Sequence, residues 1–167
     1  MSGRLKVYLE TSFVSYLTGG ATSDIAVATN QAWTRQWWDT ERANCDLFIS
    51  NYTFEEAARG NEDSVSRRMS ILNGLPFVDV AIDRVTALAE SLLAGHAIPV
   101  AETTDALHIA AAAVAGMDIV LTWNCKHLAN PRTLPVTRDI VTKAGYICPA
   151  VMTPRTYIEN LNMEAKL

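Results

Sequence analysis

Between Asp105 and Thr122 the chain leaves little freedom of fold. Residues 106–115, Ala-Leu-His-Ile-Ala-Ala-Ala-Ala-Val-Ala, are apolar nearly all the way round a helix. A helix without a polar face must be covered, and its alanines let neighbours approach closely. Gly116 ends it, and Asp118-Ile-Val-Leu-Thr122 follows as a short apolar run of the kind found in strands buried on both faces. A buried helix feeding a buried strand marks an α/β chain.

The rest of the chain repeats the pattern. Residues 5–9, Leu-Lys-Val-Tyr-Leu, favour a strand, and Glu10-Thr11-Ser12 suits its end and the N-cap of a short helix through Leu17. After Gly19-Gly20, Ser23 or Asp24 caps a helix predicted to run to about Asn44. Residues 46–50 read as a second strand, feeding a helix that carries Phe54 to Ala58 and stops at Gly60. Residues 62–73 are amphipathic at helical spacing, Leu75 to Val80 reads as a third strand, and 83–95 as a helix. Asn124 begins a turn into a short helix, 137–144 form the last helix, and Tyr146 to Val151 an edge-like strand in which Pro149 has no N–H to donate. The tail from Thr153 carries no definite signal. Strand and helix in alternation imply a mostly parallel sheet with right-handed crossovers.

At 167 residues and 18.3 kDa, with 49% apolar and 19% charged residues, the chain suits a single domain over 1–167. Its net charge of −4 provides no broad basic surface for nucleic acid, so any such role has to rest on a local site aided by cations. Cys45, Cys125 and Cys148 are odd in number and far apart, which fits neither a disulfide framework nor a zinc knuckle and points to a reducing cytoplasm. No signal-peptide pattern opens the chain, and the apolar stretch 105–121 is interrupted by Asp105, His108 and Asp118, so neither secretion nor a membrane span is expected.

In open α/β sheets functional groups collect beyond the carboxyl ends of strands. Those positions hold Glu10 with Thr11 and Ser12, Glu55 and Glu56 on the helix after the second strand, and Thr122 and Asn124 after the buried strand; Asp105, opening the apolar helix, can reach the same edge. Three carboxylates gathered there repel one another unless a cation offsets their charge. Mg²⁺ suits a site of few oxygen ligands and completes its shell with water and phosphate, which implies hydrolysis by a metal-activated water.

Four segments in order, Val7-Tyr-Leu-Glu10-Thr-Ser12, Glu56-Ala-Ala-Arg-Gly60, Asp105-Ala-Leu-His-Ile-Ala110 and Leu121-Thr-Trp-Asn124-Cys-Lys-His127, resemble those of the PIN-domain nucleases. The resemblance runs from about residue 5 to about residue 150, and is greatest to the bacterial branch that includes VapC-type toxins of toxin–antitoxin pairs. It implies a three-layer α/β/α fold around a central, mostly parallel sheet of about four to five strands, an endoribonuclease dependent on Mg²⁺ or Mn²⁺, a homodimer, and an antitoxin partner that blocks the acidic groove. Carried across by position, Glu10, Glu56, Asp105 and Asn124 become the metal-ligating and catalytic set. Glu10 stands where the family usually has Asp, and Asn124 where it often has Asp. Glu10 keeps the charge one methylene further out; Asn124 keeps an oxygen but drops a charge.

Plainer roles exist for each. Glu10 can cap the first helix, Asp105 can favour the dipole of its helix, and Asn124 can cap a turn. Adjacent helical residues point about 100° apart, which leaves Glu55 to solvent if Glu56 faces the site. His108 reads as a hydrogen-bonded core histidine and His127 as exposed, neither catalytic. Trp33, Trp37 and Trp38 read as a dimer interface, and Arg59, Lys126 and Arg132 as candidate phosphate contacts. The competing functional reading is a degenerate PIN-like domain that binds RNA or a protein partner without cutting. A phosphotransfer receiver domain ranks last, because Glu10 has no acidic neighbour.

Overall fold

The computed structural model describes residues 3–166. Strand β1 (Leu5–Leu9) leads to helices α1 (Thr11–Thr18) and α2 (Ile25–Thr40), a 3₁₀ turn (Arg42–Asn44) and β2 (Cys45–Phe48). Helices α3 (Asn51–Ala57), α4 (Glu62–Leu72), α5 (Ile82–Ala94) and α6 (Thr103–Val114) precede β3 (Ile119–Leu121). Helix α7 (Leu134–Lys143), β4 (Ala150–Met152) and α8 (Pro154–Glu164) complete the order.

Among the described residues the four strands form one sheet, all parallel, in the order β2-β1-β3-β4. Strand alternation divides the core in two. Val7 and Leu9, with Ile119 and Leu121, face Phe13, Trp37, Leu72 and Tyr157 on the layer of α1, α2, α4 and α8. Tyr8 and Val120 face the opposite way, onto Leu88, Leu92, Ile109 and Val141 of α5, α6 and α7. The result is the three-layer α/β/α fold, with the alanine face of α6 fully buried as its sequence requires.

Right-handed crossovers explain which layer each helix joins. The chain moves from β1 outward to β2 in one direction and from β3 outward to β4 in the other, so the helices of the two connections lie on opposite faces. The carboxyl ends of β1 and β3 therefore sit side by side at the point where the winding reverses, the place where open α/β sheets form a crevice.

Several elements differ from the sequence reading. Residues 75–80 are not a strand: they make one parallel bridge, Ile49 to Phe77, with Ile49 N–H on the Pro76 carbonyl and Val78 N–H on that of Ile49. Beyond Ile49 the neighbouring chain has nothing left to pair, because Ser50 already caps α3. Helix α2 ends at Thr40, four residues short, and a 3₁₀ turn takes up the remainder. Residues 125–128 form turns rather than a helix, and α7 begins at Leu134, where Pro135 fits the first turn. The tail is ordered as α8, with Thr153 capping and Pro154 opening it. Tyr157 on this helix packs edge-on against Trp37 at 5.7 Å. That contact corrects the interface reading for Trp37, which is wholly buried; Trp33 and Trp38 are partly buried, with Arg155 and Arg42 over their rings.

No helix among the described residues is long and apolar enough to cross a membrane.

Candidate functional site

Glu10 is the first residue beyond β1. Its N–H continues the ladder onto the Leu121 carbonyl at 3.1 Å, and its extended backbone makes it the N-cap of α1. The side chain is 5% exposed, and burial of a carboxylate is tolerable only where donors replace water. Three do so: the Ser12 N–H at 3.0 Å, the Thr122 hydroxyl at 2.7 Å, and the Ser12 hydroxyl, all on Oε2. The capping role and a place in the site thus coexist.

Glu56, the penultimate residue of α3, turns toward the same edge while Glu55 faces solvent. Its Oε1 accepts from the Thr11 hydroxyl at 2.7 Å and meets His108 Nε2 at 2.5 Å. Burial pushes this carboxyl up, but the hydrogen bond and attraction of His108, the Thr11 hydroxyl and the Arg59 charge outweigh it. The net position is below the usual glutamate range. His108 has no exposed surface and spans two partners, with Nδ1 2.6 Å from the Tyr8 hydroxyl. Tyr8 in turn touches Ser50 Oγ at 2.6 Å, and burial pushes its hydroxyl well up, so it remains protonated. His108 is a hydrogen-bonded core histidine as read from the sequence, but one attached to the site.

Asp105 lies in the first turn of α6, three residues before His108. Its Oδ2 accepts from the Asn124 amide at 3.0 Å and meets His127 Nδ1 at 2.9 Å. His127 is therefore not the exposed residue expected; its side chain is only 14% accessible. Asn124 directs its NH₂ to Asp105, while its Oδ1 accepts the His127 backbone N–H at 3.0 Å. The oxygen foreseen as a ligand also closes the local turn.

The four foreseen residues thus meet in two adjoining groups. Ligand atoms of Glu10, Glu56 and His108 lie within 4.8 Å of one another, as do those of Glu102, Asp105 and His127. Thr122 joins them: its hydroxyl donates to Glu10 and accepts the Asn124 N–H at 2.9 Å, and Asn124 holds Asp105. Trp123 fixes this connection, its N–H on Ser12 Oγ at 2.8 Å and its indole N–H on Thr34 Oγ1 at 2.7 Å.

His108, His127 and Glu102 were not among the foreseen ligands, yet spacing carried a signal. Glu102, Asp105 and His108 recur every three residues, which places neighbours on one helical face. Arg59, Lys126 and Arg132 are exposed.

Each of the three acids concentrates its protein hydrogen bonds on one oxygen: Oε2 of Glu10, Oε1 of Glu56 and Oδ2 of Asp105. Among the described residues, no protein donor reaches Glu10 Oε1, Glu56 Oε2 or Asp105 Oδ1. A carboxylate offers about four lone-pair sites over two oxygens, so each group is fixed in place with accepting capacity to spare. Carboxylate oxygens with an imidazole in each group could hold a divalent cation. No protein-family model matches the chain, and no curated protein is significantly similar to it.

Proposed function

We propose that this chain is a PIN-type ribonuclease that hydrolyses RNA phosphodiester bonds with Mg²⁺ or Mn²⁺, and that it acts in the cytoplasm as the toxin of a toxin–antitoxin pair. One observation carries the reading. Glu10, Glu56 and Asp105, from three distant segments, are gathered in two groups linked through Thr122 and Asn124, each acid with one oxygen held by protein donors and one left for a ligand.

Glu10 and Glu56 would hold an ion in one group, and Asp105 with Glu102 would face it from the adjoining one. A bound divalent ion lowers the pKa of a water and offsets charge on phosphate oxygens. The protein's own part is to preorganise the acids. Thr122 and Ser12 lock Glu10, His108 and Thr11 lock Glu56, and Asn124 and His127 lock Asp105. Asn124 then serves as a positioning residue. The free thiols of Cys45, Cys125 and Cys148 suit a reducing compartment. The antitoxin partner and the homodimer rest on the sequence resemblance.

The test is cleavage of a single-stranded RNA by the purified protein with Mn²⁺ or Mg²⁺. Cutting is expected, with loss on chelation and a fall of at least 100-fold, the order of magnitude associated with a lost charge-stabilising group, in Asp105→Asn and Glu56→Gln variants whose circular dichroism is unchanged. Intact RNA with the wild-type protein, or full activity in both variants, overturns the reading.

A second reading has its own support in the Asn124 amide, which turns nitrogen rather than oxygen to Asp105, and in the grouping of Asp105 with Glu102 and His127. Both favour a degenerate PIN-like domain that binds RNA or a protein partner without cleavage. Intact RNA together with a flat Mn²⁺ titration selects it.

A further inference from the structure

Beside the acidic cluster, on the far side of His127, lies a cavity of about 290 Å³ whose character is the reverse of its surroundings. Its walls include His96, Lys126 and His127, and no carboxylate lines it. In a chain of net charge −4 this places one lysine ammonium and two imidazoles together with no carboxylate in the lining.

The groups are held ready for a ligand. Among the described residues no carboxylate pairs with Lys126, whereas Lys143 is paired with Asp139 at 2.7 Å and Arg155 with Glu159 at 2.8 Å. Asn130 fixes the turn beneath Lys126: its Nδ2 donates to the Lys126 carbonyl at 2.8 Å and its Oδ1 accepts the Arg132 N–H at 3.0 Å. His127 is held in place on this wall by Asp105 through Nδ1. His96 lines the opposite wall from the left-handed position that ends α5, φ 57°, with its N–H on the Leu93 carbonyl at 3.1 Å and the Ala97 N–H on that of Leu92 at 3.0 Å. Ala97 and Pro99 complete that wall without adding charge.

We infer that the cavity lined by His96, Lys126 and His127 is a subsite for a backbone phosphate of the nucleic acid, next to the phosphate at the acidic cluster. The inference rests on the nuclease reading for its ligand but not on cleavage. His127 belongs to both places, bonded to Asp105 on one side and lining the cavity on the other. A chain of phosphates one nucleotide apart would thus meet an ion-assisted acidic site and then a cationic one. This gives an acidic protein a means of gripping a polyanion without a basic surface.

The experiment measures binding of a fluorescein-labelled single-stranded RNA in EDTA, where cutting is silent, across a salt series. Lys126→Ala is expected to weaken binding about three- to tenfold and to reduce the slope of log affinity against log salt by roughly 0.7, the value for one phosphate contact on a single strand. His96→Gly, which suits the left-handed backbone, is expected to weaken binding in the same direction, and Lys143→Ala to leave it unchanged. Wild-type-like affinity and slope in both Lys126→Ala and His96→Gly overturn the subsite, as does absence of RNA binding by the wild type. Adding Mn²⁺ separates the two readings: Lys126-dependent binding without cleavage keeps the subsite and removes the nuclease. Cleavage that is lost in Asp105→Asn but insensitive to Lys126 and His96 does the opposite.

Discussion

A single oxygen on each acid carries most of the meaning of the site. Residue types and strand ends in the sequence identified Glu10, the Glu55–Glu56 pair and Asp105 as acids able to share one edge, and the family resemblance chose Glu56 over Glu55 as the inward one. What they could not show is which oxygen each donor would take, because that depends on Ser12, Thr122, Thr11 and His108 arriving from other segments. Asn124 illustrates the limit: both its cap role and its neighbour Asp105 were readable, but the direction of its amide is set by the His127 N–H three residues on. The held-down ionisation of Glu56 has a consequence for stability. A carboxyl that ionises more readily folded than unfolded stabilises the fold above the unfolded glutamate value, about pH 4.3, and that contribution vanishes as pH falls through the lower folded value. Glu56→Gln is expected to flatten the acid limb of melting temperature against pH, measured in EDTA; an acid limb identical to wild type contradicts this.

At the scale of elements, the apolar helix and its following strand were readable because no other fold covers them, and α6 and β3 appear where the Asp105–Thr122 pattern placed them. Residues 75–80 misled because an apolar, extended-favouring run says nothing of whether a partner strand remains to pair with it; beyond Ile49 none does. Helix α8 was missed despite its Thr153-Pro154 start, a cap followed by proline at the first helical position. Its apolar face shows only when Tyr157 and Ile158 are placed against Trp37. The junction of α6 and β3 provides a clean test. Gly116 holds φ +67° with nothing within 4 Å of where a Cβ would stand, so a substitution there meets backbone strain and no clash. Gly116→Ala is expected to cost roughly 1–2 kcal/mol, read from a denaturant midpoint shift at constant m-value. An unchanged midpoint contradicts it.

The whole molecule is organised by the reversal of winding between β1 and β3. That reversal makes neighbours of Glu10 and Thr122, which are 112 residues apart, and α3 and α6 bring Glu56 and His108 to the same edge. The alternation of strand and helix implied such an edge; only the strand order β2-β1-β3-β4 fixes where it lies. Bringing buried or half-buried acids so close makes sense if a doubly charged ion completes the group, and everything proposed about catalysis depends on that electrostatic balance. Calorimetric titration of the intact protein with Mn²⁺ addresses it directly. The wild type is expected to bind saturably, with affinity at least tenfold weaker in Glu56→Gln and in Asp105→Asn, each loss corresponding to about 1.4 kcal/mol or more. A flat wild-type titration, or equal affinity in all three proteins, contradicts it.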